Sequence, residues 1–325
     1  MDASNDFMHK KTDKEIVRIR KLLAAEYKQA GEKMKKKAEL YFAKFVDADN
    51  KKRALVEAGD LSWEEYIAWR TKKVRNEILN RKLIDVLAQY LVNADKQARD
   101  IVRNRAFGVY ANHYNWGKFE VETGFGINTG FTLFNEKTVE RLVEKNPKLL
   151  PDPSEKTKKK IREGKIKKWS RRKINNAIIQ GVLQGEAIDK VADRLDVAVR
   201  MGWNNAVRNA RTAMTGAQNA GRLDSYKDSQ KLGIKMNKGW MATLDERTRE
   251  SHQELDGEIV PIDKPFSNGL MCPGDPEGDP EEVYNCRCTM FADLVDYPSK
   301  FERYVNGKSV GNMTYKEWAA AKQGN

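Results

Sequence analysis

Residues 84–101, IDVLAQYLVNADKQARDI, carry the clearest helical pattern in the chain. Apolar side chains recur in this stretch at alternating intervals of three and four residues: Ile84, Leu87, Leu91, Ala94, Ala98 and Ile101. Such spacing places them on one face of an α-helix and is typical of a coiled coil or an antiparallel helical hairpin. We expect this seam to be buried within its own chain, with contact to a second subunit as the alternative.

Two helical patterns precede the seam. Thr12 and Glu15 have the spacing of a capping box, which predicts a long helix from Thr12. We expect that helix to break near residues 47–50, DADN. Ser62 and Glu65 repeat the capping-box spacing and predict a second helix start. Residues 1–150 are therefore expected to form a basic, mainly α region of long helices.

Residues 107–134 interrupt this helical pattern in the sequence. Aromatic residues, glycines and asparagines dominate there, as in YANHYNWGKFEVETGFGINTGFTLF from Tyr110. This composition predicts a loop or short-strand insertion. His113 lies in it without a titratable partner in a recognisable pattern, so we expect a packed or hydrogen-bonded histidine and not a catalytic one.

Composition limits the class of protein and its partners. The chain has 325 residues, enough for about two domains, and 60 Lys+Arg against 47 Asp+Glu give a net charge of +13. That charge favours an anionic partner such as nucleic acid. The sequence has no apolar run long enough to span a membrane and no apolar secretory signal near residue 1. The three cysteines, clustered between Cys272 and Cys288, suggest a reducing compartment and one local site.

A basic strip follows the proline-rich segment at residues 147–154, where we place a domain boundary. Residues 155–174 contain eleven Lys/Arg and two Glu. This density predicts binding to DNA without sequence preference, with a solvated helix face or a partner's acidic patch as alternatives. The candidate DNA-binding residues are Lys158, Lys159, Lys160, Lys165, Lys167, Lys168, Arg171, Arg172 and Lys173.

Residues 174–238 are predicted to be helical. Residues 174–195 contain two short helical patterns joined near Gly185, and we expect a packing hairpin there and not a DNA-reading helix-turn-helix. A further helix is predicted over residues 203–227, with Arg222 on a flank that we expect to be solvated and an anion ligand as the alternative. The basic strip and these helices form a predicted segment of residues 151–238.

Residues 239–296 are predicted to form a compact, turn-rich α+β module, followed by a tail at 297–325. Short strands are expected at residues 258–262 and 288–295. The module contains one imidazole and every thiol of the chain, which are candidate ligands of a tetrahedral zinc site: His252, Cys272, Cys286 and Cys288. Reduced packing cysteines and a disulfide are the alternatives.

Several rare elements of this module resemble, in order and spacing, the phage Mu F-like minor head proteins of the head morphogenesis family. The resemblance covers about residues 174–292. It rests on the runs DERTRESH from Asp245, LDG from Leu255, PGDP from Pro273 and NCRC from Asn285. The signature positions are Asp245, Arg247, Arg249, Asp256, Gly257 and Asn285.

The resemblance implies a virion protein that joins the procapsid near the portal, inside the head and close to packaged DNA. Its implied partners are the portal, the scaffold or the major capsid protein, met in the host cytoplasm during assembly, and we expect docking through the apolar seam. No catalysis is implied. The alternative is a metal-dependent nuclease or an ADP-ribosyltransferase-like enzyme, with Glu250 or Asp256 as base. Ala213 replaces an acidic residue common in relatives, which argues against the transferase.

Overall fold

Long helices form most of this chain. The computed structural model describes residues 6–74, 76, 81–128, 130–146, 149–150, 163–183, 186, 188–243, 245–295, 304–305 and 308–309. Its helices are α1 Phe7–Glu57, α2 Trp63–Lys73, α3 Arg81–Phe125, α4 Glu136–Lys145, α5 Glu163–Leu183, α6 Ile188–Gln230, α7 Glu250–Glu254 and α8 Pro280–Val283. Its strands are β1 Met236–Met241, β2 Ile259–Pro261, β3 Thr289–Leu294, β4 Tyr304–Val305 and β5 Lys308–Ser309. A mainly α region followed by an α+β module is therefore confirmed.

Contacts group the chain into two compact units, and neither unit is one continuous stretch. The first unit consists of residues 1–19, 101–155 and 208–325, and the second of residues 20–100 and 156–207. Helices α1, α3 and α6 each contribute residues to both units. The segments predicted from the sequence are continuous, so they do not coincide with these units.

The apolar seam of α3 lies in the second unit, apart from Ile101. Ile84, Leu87, Leu91 and Ala94 are each at most 8% exposed in the isolated chain. Burial within the chain is therefore confirmed. A seam that is already covered offers no docking surface, so the expectation that it binds portal or scaffold is wrong.

The start of α1 differs from the prediction. The helix begins at Phe7, and the Oδ1 atom of Asp6 accepts a hydrogen bond from the backbone N–H of His9 at 2.6 Å. Asp6 thus satisfies one of the free N–H groups of the first turn. Thr12 lies inside the helix, and its hydroxyl is 2.8 Å from the Nε2 atom of His113 on α3. The predicted cap at Thr12 is therefore wrong.

The predicted break of α1 at residues 47–50 is also wrong, because the helix continues to Glu57. Asp49 is buried there, and its Oδ1 atom accepts hydrogen bonds from Tyr66 at 2.8 Å and from Arg70 Nε at 2.9 Å. Both partners lie on α2, so tertiary contacts offset the weak helix propensity of this stretch. The cap that was predicted at Ser62 is confirmed, with both hydrogen bonds of the capping box formed.

The predicted loop or short-strand insertion at residues 107–134 is wrong for most of its length, because α3 continues through this segment to Phe125. The hydroxyls of Tyr110 and Tyr114 donate to Asp224 and Asp228 of α6, each at 2.7 Å. The aromatic and polar residues therefore face a second helix, whose partners lie more than 100 residues away in sequence. His113 is buried and hydrogen-bonded, as expected.

Helix α6 is longer than the sequence predicts. The junction near Gly185 is confirmed, since α5 ends at Leu183 and α6 begins at Ile188. The two helices predicted beyond it are one helix, with no interruption between Leu195 and Trp203. Within the described residues, no helix has the combination of length and apolarity that a membrane span requires.

The α+β module of the first unit is built on an antiparallel sheet with strand order β2-β1-β3. Strands β2 and β3 match the predicted ones, but β1 was not predicted, and the boundary placed at residue 239 falls inside it. Lys238 of β1 pairs with Val260 of β2 on one side and with Ala292 of β3 on the other. Trp240 and Phe266 pack in the core beside this sheet. In the predicted tail, β4 and β5 form a short antiparallel pair.

Candidate functional site

Three of the four candidate zinc ligands meet in the α+β module. His252 lies on α7, Cys286 lies between α8 and β3, and Cys288 directly precedes β3. The Nδ1 atom of His252 is 3.7 Å from Cys286 Sγ and 3.5 Å from Cys288 Sγ. One ligand atom from each residue lies within 4.8 Å of the other two, and all three residues are buried. The fold thus brings together an imidazole and two thiols from segments more than 30 residues apart.

Glu282 fixes the orientation of the His252 ring. Its Oε2 atom lies 2.9 Å from His252 Nε2, and its carboxylate also accepts from the Ser251 hydroxyl at 3.2 Å. The ring also makes a T-shaped contact with Trp240, with ring centroids 5.2 Å apart. Because Nε2 faces Glu282, Nδ1 is the ring nitrogen that lies against the two thiols. Carboxylate partners of this kind orient metal-binding histidines.

The pKa values of the two thiols in the cluster are shifted in opposite directions. The Cys286 thiol donates a hydrogen bond to Cys288, which lowers the pKa of Cys288. His252 and the backbone N–H of Thr243 lower it further, against the effect of burial. The same Cys286–Cys288 bond, together with burial, raises the pKa of Cys286. The environment of Cys288 therefore favours a thiolate, which is the form that binds metal.

Cys272 does not join this group, so the predicted set of four ligands is reduced to three. It is buried in the hydrophobic core, and burial followed by the nearby Asp275 raises its pKa. The buried Lys238 ammonium donates to the carbonyl oxygens of Ile262 and Met271, at 3.2 and 2.8 Å. Burial lowers the pKa of Lys238 to about 8. Cys272 is a buried free cysteine outside the group of His252, Cys286 and Cys288.

Most of the signature residues hold turns around the cluster. Asp245 forms a two-point ion pair with Arg287, and Arg249 donates to the carbonyl oxygen of Tyr284. Asp256 Oδ1 accepts the backbone N–H of Ala242 at 2.8 Å.

Two signature residues occupy left-handed backbone positions. Gly257 has a φ of 81° and Asn285 a φ of 59°, a region that glycine and asparagine adopt more readily than other residues. Arg247 is exposed. The signature therefore describes backbone geometry and ion pairs near the cluster.

A row of α6 side chains supports the same segment and was not predicted. Thr212 accepts the N–H of Asn285 at 3.2 Å, Thr215 donates to the carbonyl oxygen of Cys286 at 2.8 Å, and Asn219 donates to that of Cys288 at 3.1 Å. Arg222 donates to the carbonyl oxygen of Met290. These residues recur at helical spacing, so the sequence contained a signal, but polar residues on one face are normally assigned to solvent. Arg222 was expected on a solvated flank and is instead fully buried.

The structure describes only part of the basic strip. Lys158, Lys159 and Lys160 lie outside the described residues, and the side chains of Lys165 and Lys167 on α5 are likewise not described. Lys168 and Arg172 are exposed, and Lys173 is half-buried. Arg171 Nε forms an ion pair with Asp85 Oδ1 at 2.7 Å, so this guanidinium is already partnered within the second unit.

Fold and site together describe a helical protein with a small α+β module held by signature residues, and comparison with known families agrees with this description. Residues 172–291 match the family described as Phage Mu protein F like protein. The resemblance predicted over about residues 174–292 is therefore confirmed by this family match.

Individual relatives extend this result. The chain is 28% identical over 253 residues to Minor head protein GP7 of Bacillus phage SPP1, covering 74% of this chain and 78% of that protein. It is 31% identical over 150 residues to a protein of Enterococcus faecalis named NAD(+)--arginine ADP-ribosyltransferase EFV. That match covers 45% of this chain and 31% of the enterococcal protein, so most of the latter has no counterpart in the alignment. No solved structure matches the chain.

Proposed function

We propose that this protein is a minor structural component of a phage head that joins the procapsid near the portal, lies inside the head and contacts packaged DNA. The observation that carries the proposal is the similarity to Minor head protein GP7, which extends over 78% of that protein and well beyond the family domain. The proposed partners are portal, scaffold or major capsid protein, and DNA bound without sequence preference.

A non-enzymatic role is part of the proposal. Asp256 and Glu250, the candidate bases of the enzyme alternative, are not in the His252 group, and Asp256 is engaged with the Ala242 backbone. The enterococcal transferase aligns over only 31% of its length, so its activity can belong to the part without a counterpart here. The proposal is that the two proteins share the head morphogenesis region and not the transferase activity.

Exposed basic residues on α5 support the proposed DNA contact. Lys168 and Arg172 are four residues apart on one helix and lie on the same face, next to Lys173. Phosphate neutralisation by such a strip releases counterions and needs no base-reading element. The affinity would therefore depend steeply on salt and little on sequence.

Incorporation into procapsids tests the proposed function. The full chain is co-expressed with scaffold and major capsid protein, with and without portal protein, and particles are purified by sedimentation. We expect the protein in portal-containing procapsids and its loss from portal-less shells, with equal major capsid protein as the loading control. Equal incorporation into portal-less shells would refute the portal route, and absence from both kinds of particle would refute a role in the head.

A further inference from the structure

We infer that His252, Cys286 and Cys288 bind one zinc ion, with Glu282 as the residue that positions the histidine. The distances carry this inference. Tetrahedral zinc, with Zn–S of about 2.3 Å and Zn–N of about 2.0–2.1 Å, holds sulfur and nitrogen ligands about 3.6 Å apart. The two sulfur–nitrogen distances here are 3.7 and 3.5 Å, so both match the separation of sulfur and nitrogen ligands on one zinc ion.

The donor types favour zinc over other divalent metals. Two thiolates and one imidazole form a soft to intermediate donor set, whereas magnesium and calcium prefer carboxylate and carbonyl oxygens. The Glu282 carboxylate contacts the opposite ring nitrogen, so it orients the ligand and does not bind the same ion. Three protein ligands leave one tetrahedral position, and among the described residues no further His, Cys, Asp or Glu joins the group.

The position of the cluster in the fold gives the metal a structural role. An ion bound there would connect α7 to the segment that leads into β3, in addition to the hydrogen bond from Arg249 to the carbonyl oxygen of Tyr284. All three ligands are about 1% exposed, so the ion would be shielded from substrate-sized molecules. This site differs from the four-ligand zinc site that the sequence predicts. It contains two thiolates, and it excludes Cys272.

Zinc content of matched serine variants tests the site. The full-length chain is purified under reducing, chelator-free conditions, supplied with zinc, desalted and analysed for bound metal. We expect about one zinc per chain in the wild type and in Cys272→Ser, and a loss of at least tenfold in Cys286→Ser and Cys288→Ser. Cys272→Ser is the matched control, because it removes a thiol from the same module that lies outside the cluster. Wild-type protein without zinc, or equal loss in all three variants, would overturn the inference.

Two measurements remain informative if the serine variants fail to fold. Cobalt bound to the wild type should give the visible spectrum of a tetrahedral site, with sulfur-to-cobalt charge-transfer intensity that corresponds to two thiolates; three would contradict the assignment. Glu282→Ala should bind zinc with an affinity reduced about 10–100-fold, measured by competition with a chelator, and reach full occupancy at excess zinc. An unchanged zinc affinity would contradict the proposed role of Glu282 in positioning His252.

Discussion

Arg222 is the buried charge on which several polar contacts of the first unit depend. Its side chain has no exposed surface, and Nη2 forms an ion pair with Asp6 at 2.7 Å while Nε donates to His113 Nδ1 at 3.1 Å. Burial alone would raise the pKa of Asp6, but Arg222 and the backbone N–H of His9 lower it. A buried guanidinium is tolerated only with such partners, because an unpaired one would cost several kcal/mol.

The same contact determines the protonation of His113. Arginine can only donate, so Nδ1 of His113 accepts and the proton of the neutral ring lies on Nε2, from which it is donated to Thr12. Burial, and then the positive charge of Arg222, lower the pKa of His113 well below its ordinary value of 6.5. The folded protein therefore binds fewer protons here than the unfolded chain, and acid favours unfolding.

This difference predicts a pH dependence of stability. The free energy of unfolding should fall as the pH drops below about 6.5, with His113 contributing about 1.4 kcal/mol per pH unit until the folded-state pKa is reached. His113→Gln, which can accept from Arg222 and donate to Thr12, should remove this contribution. Urea unfolding at several pH values measures the slope. Thr12→Val is the control, because it retains the titrating ring; a slope unchanged by His113→Gln would contradict the prediction.

Helix α6 connects the elements of the first unit. One face carries the hydrogen bonds to residues 285–290, and another packs closely against α3. A Cβ atom on Gly221 would lie 2.5 Å from the backbone oxygen of Tyr110, closer than van der Waals contact allows. Gly117 on α3 has a similar role, since a Cβ atom there would lie 1.9 Å from Ser225 Oγ. These two glycines permit the close approach of α3 and α6.

Substitution of two helical glycines by alanine distinguishes the effect of packing on stability from the effect of helix propensity. Gly221→Ala should lower the free energy of unfolding by about 1–3 kcal/mol or more, because backbone atoms of α3 must move. Gly31→Ala is the matched control, since its Cβ would meet Val199 at an ordinary 3.5 Å. There the better helix propensity of alanine should stabilise the protein by up to about 1 kcal/mol. Urea unfolding of both variants measures this, and equal effects would show that packing at Gly221 is not the cause.

At the scale of the whole molecule, the first unit depends on contacts between residues more than 100 positions apart in the sequence. Asp6 pairs with Arg222, and Tyr110 and Tyr114 of α3 bond to α6. Removal of residues 1–106 would therefore take away Asp6 and the start of α1. The buried Arg222 would then lose its ion pair with Asp6, which argues against independent folding of the C-terminal module. Point variants of the full chain are better probes of docking than truncations.

Charge is also a property of the whole molecule, and DNA binding can test whether the net charge or the basic strip matters. The logarithm of the binding constant falls as the logarithm of the salt concentration rises. Each lost phosphate contact should make this slope less steep by about 0.9. Lys168→Gln, Arg172→Gln and Lys173→Gln together should therefore flatten the slope for duplex DNA by up to about 3. Lys10→Gln, Lys14→Gln and Lys21→Gln are the control, because these exposed α1 residues carry the same total charge. Equal flattening in both variants would assign binding to net charge alone.

The sequence by itself determined those features that depend on neighbouring residues. The spacing of the α3 seam, the cap at Ser62, the junction near Gly185 and strands β2 and β3 follow from local periodicity and turn chemistry. The family followed from the order and spacing of its signature residues, and this too can be read along the chain. These predictions succeeded because the interactions that decide them span few residues.

Only the tertiary structure decided the features whose partners are distant in sequence. Residues 47–50 and 107–125 remain helical because Asp49 and Tyr110 find partners on α2 and α6, and Arg222 is buried because Asp6 compensates its charge. Cys272 is separated from Cys286 and Cys288 although all three cysteines are close in sequence. Local composition cannot reveal such outcomes, since the energy that offsets an unfavourable propensity or a buried charge comes from side chains that the fold brings near.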